Sequence, residues 1–406
     1  MKGILDGLRI VEMGHVAAIP MAGAMLAEWG ADVIKLEPLE GEFGRHTIMS
    51  YGISRELDLD GREVNYIFEL HNRSQRGIAI DMKKPGGKEA VLRLIAKADI
   101  FMTNYEVGTL KKLEMDYASL SKVNPRLIYG FLTGYGTKGP DKDERGFDVT
   151  AAGARSGMQY ISSEPSAPPP PQRFAVMDKT AAAYLVSGML AAIIHRDKTG
   201  QGQEIDISLY HTAVWSLSTD IQAALVGRPF PRHDHANAGS FLSNNYCTKD
   251  GKWFLVLNPY LEIPWTEFCE GLGRPDLAED PRFDTEEKRE DNRVDLIVEM
   301  DLAFATKNLA EWESWFQKIN IIYGRVQTPT EVTTDPQALA NNFFTEVDYD
   351  TRAKMPMVNF PVNFHQNPSS IKGPAPELGQ HTEEVLQELG YDWESIGKLQ
   401  EDGVIL

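Results

Sequence analysis

The sequence predicts an α/β protein: a large, layered, Rossmann-like domain and a smaller α+β domain. Three observations predict it. Short β-rich runs alternate with helical patterns through the first third of the chain, the signature of βαβ units on a parallel sheet. The 406 residues exceed what one hydrophobic core usually serves. The composition, 42% hydrophobic and 25% charged, supplies ample core material for two domains.

The elements follow in order. Leu8 to Met13 reads as a strand, Pro20 to Trp29 as a helix and Asp32 to Leu36 as the next strand. Within that helix Met21, Met25, Leu26 and Trp29 recur at helical spacing, and Gly30 closes it. The pattern repeats as a strand at Gly77 to Ile80 and a helix from about Gly86 to Ala98, with Pro85 suited to its first turn. Strands at Ile100 to Thr103 and Leu127 to Leu132 complete the set.

Beyond this region Pro168 to Pro171 predict a stiff, extended surface segment. It leads to Asp178, which opens a long apolar helix from Lys179 to His195. The most apolar part, Ala181 to Ile194, is shorter than the roughly 20 residues a bilayer span needs, so a buried helix is expected and no membrane association. Residues 229 to 240 are rich in His, Pro, Gly and Asn, and Lys252 to Leu257 alternates like a strand after the Asp250-Gly251 turn. These shifts place a large domain at 1–224, a small domain at 225–335, and a linker with a return to the large domain at 336–406. The tail predicts an amphipathic helix with Thr382 as N-cap and Gly390 as its end.

With 41 basic and 59 acidic residues the net charge is −18, which argues against a nucleic-acid partner but leaves room for a local basic pocket that takes a small anionic ligand. Cys247 and Cys269 are the only cysteines and form no C-x-x-C pair, poor material for a disulfide framework or a thiolate metal site. A reducing compartment fits best, and Asp6 and Glu12 interrupt any leader-like apolar run, so a cytoplasmic location is expected. No G-x-S-x-G, H-E-x-x-H or Walker A motif occurs, and no dinucleotide fingerprint follows the first strand. His233-Asp234-His235 is the one dense histidine cluster; without further ligands in register it reads as a solvated loop, so no metal is expected.

Asp178 supports two readings. Its simplest role is to cap the helix that follows by accepting backbone N–H bonds. A carboxylate held at a helix start in a dry cleft is equally suited to attack an activated carbonyl. Three stretches bear on the choice: Val176-Met177-Asp178-Lys179-Thr180-Ala181, Gly200-Gln201-Gly202-Gln203-Glu204-Ile205-Asp206-Ile207-Ser208-Leu209-Tyr210 and Ala31-Asp32-Val33-Ile34-Lys35-Leu36-Glu37. Together they resemble the class III CoA-transferases, the formyl-CoA and carnitine CoA-transferase family. The resemblance continues through Asp280-Pro281-Arg282-Phe283 and Asp335-Pro336-Gln337 to Pro376-Glu377-Leu378-Gly379-Gln380-His381-Thr382, and covers essentially the whole chain.

The resemblance implies that Asp178 attacks an acyl-CoA, giving a mixed anhydride and then an enzyme-bound CoA thioester that an acceptor carboxylate collects. CoA thioesters would be substrates, with no permanently bound cofactor. It implies CoA contacts from Lys35, Arg45, Arg76, Lys112 and Arg145, with Asn104 and the backbone near His15 and Val16. Asp148 stands where formyl-CoA enzymes carry a Glu near the nucleophile, either positioning the acceptor or serving as a structural acid. Ala17 replaces a Gln of those enzymes, and only Gly239 remains of their glycine-rich lid, which argues against formyl or oxalyl transfer.

The runs Thr133-Gly134-Tyr135-Gly136-Thr137-Lys138-Gly139-Pro140-Asp141-Lys142-Asp143 and Gly146-Phe147-Asp148-Val149-Thr150-Ala151, with Leu339-Ala340-Asn341-Asn342-Phe343, look most like the branch that moves CoA from 2-enoyl-CoA to (R)-2-hydroxy acids such as phenyllactate or 2-hydroxyisocaproate. These enzymes serve amino-acid fermentation, beside a 2-hydroxyacyl-CoA dehydratase. Alternatives are a bile-acid or carnitine CoA-transferase, an α-methylacyl-CoA racemase and a non-catalytic CoA-binding subunit. Phe147 occupies the place of the racemase's general base. The resemblance also implies an interlocked-ring homodimer, with 197–225 and 330–360 linking the domains. Tyr246, Trp253, Tyr260 and Trp265 read as core aromatics ahead of pocket walls.

Overall fold

A computed structural model gives the fold and describes residues 3–258, 260–349 and 352–406. The chain divides into two compact units: residues 1–159, 171–229 and 342–406 form the larger, and 160–170 with 230–341 the smaller. The expected boundaries at 224 and 335 thus fall at 229 and 341, and the segment 160–170, expected in the large domain, groups with the small one.

The larger unit is built on six parallel strands: β1 (Arg9–Met13), β2 (Asp32–Glu37), β3 (Arg76–Ala79), β4 (Ile100–Thr103), β5 (Ile128–Thr133) and β6 (Gln203–Ser208). Their order across the sheet is β6-β5-β4-β1-β2-β3, so the direction of winding reverses between β1 and β4. In such open sheets a crevice forms at the carboxyl ends of the strands at this reversal, and ligands bind there.

The inner strands β1, β2, β4 and β5 are buried along nearly their whole length because both faces are covered, whereas the edge strand β6 alternates. Alternate residues divide between two cores: Ile10, Val33, Ile100 and Ile128 face one, Val11, Ile34, Phe101 and Tyr129 the other. The first core packs against α1 (Ala18–Glu28), whose Met21, Met25 and Leu26 are buried. Then come α2 (Phe43–His46), α3 (Pro85–Ala96), α4 (Val107–Leu113) and α5 (Val176–Thr199). Pro85 is the first residue of α3, as its fixed φ favours. At 24 residues α5 is long and apolar enough to cross a membrane by length and composition, which exceeds the expectation. Half of it is buried against the sheet, and it carries Asp178 near one end and Arg196, paired with Asp99, near the other. This is a core helix.

The tail helix α6 (Thr382–Glu388) packs Val385 and Leu386 into the second core. Its cap differs from expectation. His381 is the N-cap residue, while Thr382 lies inside the helix and its hydroxyl accepts the N–H of Ala79 on β3, tying the tail to the sheet.

The smaller unit has an antiparallel sheet, β7 (Ser243–Cys247), β8 (Trp253–Leu257) and β9 (Tyr323–Val326), against helices Trp265–Leu272, Arg293–Phe304 and Leu309–Lys318. Tyr246 and Trp265 belong to its core, with Trp265 donating its indole N–H to Leu277, whereas Trp253 and Tyr260 are exposed. His233 pairs with Glu164 and His235 with Asp301 and Asn244; among the described residues no three metal-ligating side chains converge.

Candidate active site

The carboxyl ends of β1, β2, β4 and β5 surround a cavity of about 670 Å³ in the larger unit. It is lined after β1 by His15, Val16, Ala17 and Ala18, after β2 by Glu42 and Phe43, and after β4 by Asn104 and Tyr105. Gly134 follows β5, and Lys142 to Asp148, Asp178 and Leu209 complete the wall.

Six of the ten residues singled out from sequence therefore meet in one place: His15, Val16, Asn104, Arg145, Asp148 and Asp178. Asn104 ties the two sides of the reversal together, accepting the N–H of His15 at 3.0 Å and donating to its carbonyl at 3.0 Å.

Four cations expected to contact CoA do not line the cavity. Lys35 is fully buried, 3.2 Å from Glu12 and 3.8 Å from Glu42. Arg45 clasps both oxygens of Glu37 at 2.7 and 2.6 Å and donates to the carbonyl of Pro376. Arg76 opens β3 and so lies toward the amino ends of the strands, away from the carboxyl ends that border the cavity, where Asp32, Glu384 and Glu388 occupy its guanidinium. Lys112 is exposed in the last turn of α4, well over one turn beyond Val107, which does reach the cavity. Lys142 and Arg145 are the basic side chains at the cavity. Arg145 is largely exposed and pairs with Glu106.

The acid pair is the centre of the site. The helix α5 starts at Val176, after Ala175 in a left-handed conformation, so Asp178 sits inside the first turn and is not its N-cap. The capping is done from outside: Asp148 accepts the N–H of Met177 at 3.0 Å and of Val176 at 3.1 Å. Gln172 donates its side-chain amide to both oxygens of Asp148, at 3.2 and 3.4 Å. Burial raises the pKa of Asp148, and the N–H donors at the helix start oppose that rise.

Asp178 has no such support. Its carboxyl accepts no hydrogen bond from any described residue, and burial, followed by the charge of Asp148, pushes its pKa up to about 7. A desolvated carboxylate beside an open cavity, with nothing hydrogen-bonded to it, keeps its lone pairs available to an electrophile. Ala17, Ala18, Phe131, Leu132, Phe147 and Leu209 make the surrounding wall mainly apolar.

Close backbone packing shapes the mouth. A Cβ on Gly134 would meet the Cα of Gly146 at 2.8 Å, and one on Gly146 the Cα of Gly134 at 2.9 Å. The Lys142–Phe147 segment can lie this close to β5 only because both residues lack a side chain. Asp148 then opens a π-helical turn, Asp148–Ala154, a rare geometry that is frequent at functional sites.

Sequence reasoning missed Gln172, Glu42 and His71. The imidazole Nδ1 of His71 lies 2.9 Å from the carbonyl of Val16, and burial lowers its pKa to about 4. Glu42 had a legible signal, two glycines away at Gly41 and Gly44 in a chain returning from a strand end, whereas Gln172 lay unremarked beside the proline run.

Comparison with known proteins agrees with this geometry. A profile of CoA-transferase family III matches residues 5–382. The chain is 35% identical over 404 residues to (R)-2-hydroxy-4-methylpentanoate CoA-transferase of Clostridioides difficile, covering 99% of each protein. It is 33% identical to cinnamoyl-CoA:phenyllactate CoA-transferase of Clostridium sporogenes, covering 99% of this chain and 97% of that one. It is also 32% identical to succinate–glutarate CoA-transferase of Agrobacterium fabrum, covering 96% of each. The crystal structure of a CAIB/BAIF family protein from Brucella suis superposes with a TM-score of 0.84 at 29% identity, covering 96% of this chain and all of that one. The fold, the cavity at the sheet reversal and similarity along the whole chain lead to one conclusion: the protein belongs to CoA-transferase family III and is an enzyme that transfers CoA.

Proposed function

We propose that this enzyme moves CoA from a 2-enoyl-CoA to a free (R)-2-hydroxy acid of the phenyllactate or 2-hydroxyisocaproate type, with Asp178 as the nucleophile. The observation that carries the reading is the unsupported, buried Asp178 carboxylate in a largely apolar cavity. An Asp178 oxygen attacks the acyl carbon of the donor, the C–S bond breaks, and the electron pair leaves on the CoA thiolate. The thiolate attacks the aspartyl carbon of the anhydride, expelling the donor acid as its carboxylate and leaving aspartyl-CoA thioester. The acceptor carboxylate attacks that thioester and frees the thiolate again. The thiolate then takes the acceptor acyl group and returns Asp178 as a carboxylate. Each step exchanges activated carbonyls, so the cavity has to exclude water.

Two observations favour a monocarboxylic acceptor. Two relatives are named for 2-hydroxy acids. Asp178 is buried beside the charge of Asp148, and the cations at the cavity, Lys142 and Arg145, both lie in the 142–147 segment, so a second carboxylate close to Asp178 would meet a like charge. In this reading Lys142 and Arg145 take CoA phosphates, His15, Val16 and Asn104 line the pantetheine path, and Asp148 fixes the start of α5. The enzyme works as a cytoplasmic homodimer alongside a 2-hydroxyacyl-CoA dehydratase. The test is incubation with cinnamoyl-CoA, isocaprenoyl-CoA or acetyl-CoA and a panel of phenyllactate, 2-hydroxyisocaproate, carnitine, a bile acid, oxalate and glutarate, reading new CoA esters by mass spectrometry. Esters of the 2-hydroxy acids support the reading. Esters of glutarate, carnitine or the bile acid alone would replace it.

A further inference from the structure

Glu42 is part of the cavity wall and Lys35 is buried behind it. Lys35 on β2 pairs in register with Glu12 on β1 and is fully buried. Burial opposes its charge, yet Glu12, Glu42 and Glu37 around it hold its pKa above the ordinary lysine value. Glu42 adjoins this pair: its Oε2 accepts the N–H of Val16 at 3.1 Å and of Gly44 at 2.5 Å, while its Oε1 faces Lys35 at 3.8 Å and has no hydrogen-bond partner among the described residues.

What Glu42 holds is strained. Val16 has φ of 71°, a left-handed conformation that a β-branched residue adopts only when its surroundings impose it. The loop carrying it is fixed by side chains on both sides, Asn104 on the backbone of His15, Glu42 on the N–H of Val16 and His71 on its carbonyl. Ala17 follows, and α1 begins there with no side-chain cap. Val16, Ala17 and Ala18 form the wall of the cavity that also holds Asp178.

We propose that Lys35 and Glu42 are positioning residues for CoA transfer: Lys35 fixes the Glu42 carboxylate, and Glu42 clamps Val16 in its left-handed conformation so that the 15–18 segment is set against Asp178. This places Lys35 in the enzyme's framework, in contrast to a CoA-phosphate contact, and it deepens the proposed reaction by assuming Asp178 as its nucleophile.

The experiment measures the first half-reaction, formation of the covalent adduct from acyl-CoA, in wild type, Glu42→Gln and Lys35→Met. It is run with the CoA thioester and with its 3′-dephospho analogue. Wild type must form the adduct first; if it does not, the nucleophile reading fails and not this one. Glu42→Gln is expected to slow adduct formation at saturation roughly tenfold or more, with KM changed less than about threefold and the same ratio for both thioesters, as misplacement of a preorganised wall does. Adding Val16→Gly should recover part of the loss, because glycine takes positive φ without a clamp. Should the single variants not fold, Glu12→Leu/Lys35→Met/Glu42→Leu replaces the buried charges with apolar groups of similar volume, a change that buried ionic clusters tolerate. It must show the same loss. An undiminished rate in a folded variant, or a KM effect that disappears with the dephospho analogue, would overturn the proposal.

Discussion

The proposed chemistry rests on how differently two neighbouring carboxylates are treated. Asp148 receives N–H bonds from the start of α5 and the Gln172 amide, whereas Asp178 receives none from any described residue. The pKa of Asp178, raised to about 7, lies above its unfolded value of 3.8, so the native state binds more protons than the unfolded chain between those values. Stability from this group is complete below about pH 4 and is lost as pH rises through about 7. Asp178→Asn is therefore expected to raise thermal stability at pH 8, by on the order of 2–4 kcal/mol, and to leave it unchanged near pH 4, while abolishing transfer. Calorimetry at the two pH values checks this; equal shifts at both would contradict it. Since attack needs the carboxylate, kcat/KM should rise with pH through an apparent pKa of about 7, and a profile flat from pH 5 to 8 would remove the environment ascribed to Asp178. At the cavity mouth, Arg145→Ala should raise KM for acyl-CoA several-fold with kcat little changed, an effect that fades in high salt. Sequence marked the six residues that meet at the site because local motifs carry them. It misplaced Lys35 because a lone lysine in an apolar run reads as a ligand until its register partner is known. The signal was present: Glu12 and Lys35 are opposite charges at paired positions of two neighbouring buried strands.

At the level of elements, β1 to β5 were legible to within a residue or two because both faces are covered, whereas β6, whose Gln203-Glu204-Ile205-Asp206-Ile207-Ser208 run alternates polar and apolar, was not read as a strand. Helix ends were less so. Asp178 was expected as an N-cap, but α5 begins two residues earlier and is capped by Asp148, about thirty positions upstream. Such a tertiary cap leaves no local pattern to read. It does have consequences: Asp148→Ala removes the acceptor for two N–H groups, an expected cost of about 1–2 kcal/mol in unfolding free energy, together with a fall in the pKa of Asp178 as a neighbouring charge is lost. The Gly134–Gly146 contact belongs to this scale too. Gly146→Ala should push the 142–147 segment off β5 and cut activity at least tenfold with little change in melting temperature, measured by steady-state rates beside thermal unfolding. Retained activity would show that the segment does not shape the mouth.

For the whole molecule, the fold class follows from alternation of elements and chain length, and the sheet order with its reversal between β1 and β4 explains why residues ninety positions apart share one cavity. That order is set by non-local strand pairing, which periodicity along one chain does not encode. Association between chains is likewise absent from the pattern. On α5 and in the segment after β6 the side chains of Tyr184, Ile194, Trp215, Leu225 and Val226 are exposed. The proposed homodimer should show twice 45.4 kDa by light scattering at micromolar concentration. A monomer with full activity would contradict that assembly. The central claim, that Asp178 carries the CoA during transfer, is tested most directly by mass spectrometry of enzyme quenched during turnover with acyl-CoA. The account predicts a CoA thioester on the peptide containing Asp178, absent in Asp178→Ala together with activity. A transferring enzyme without that adduct, or an adduct on another residue, would contradict it.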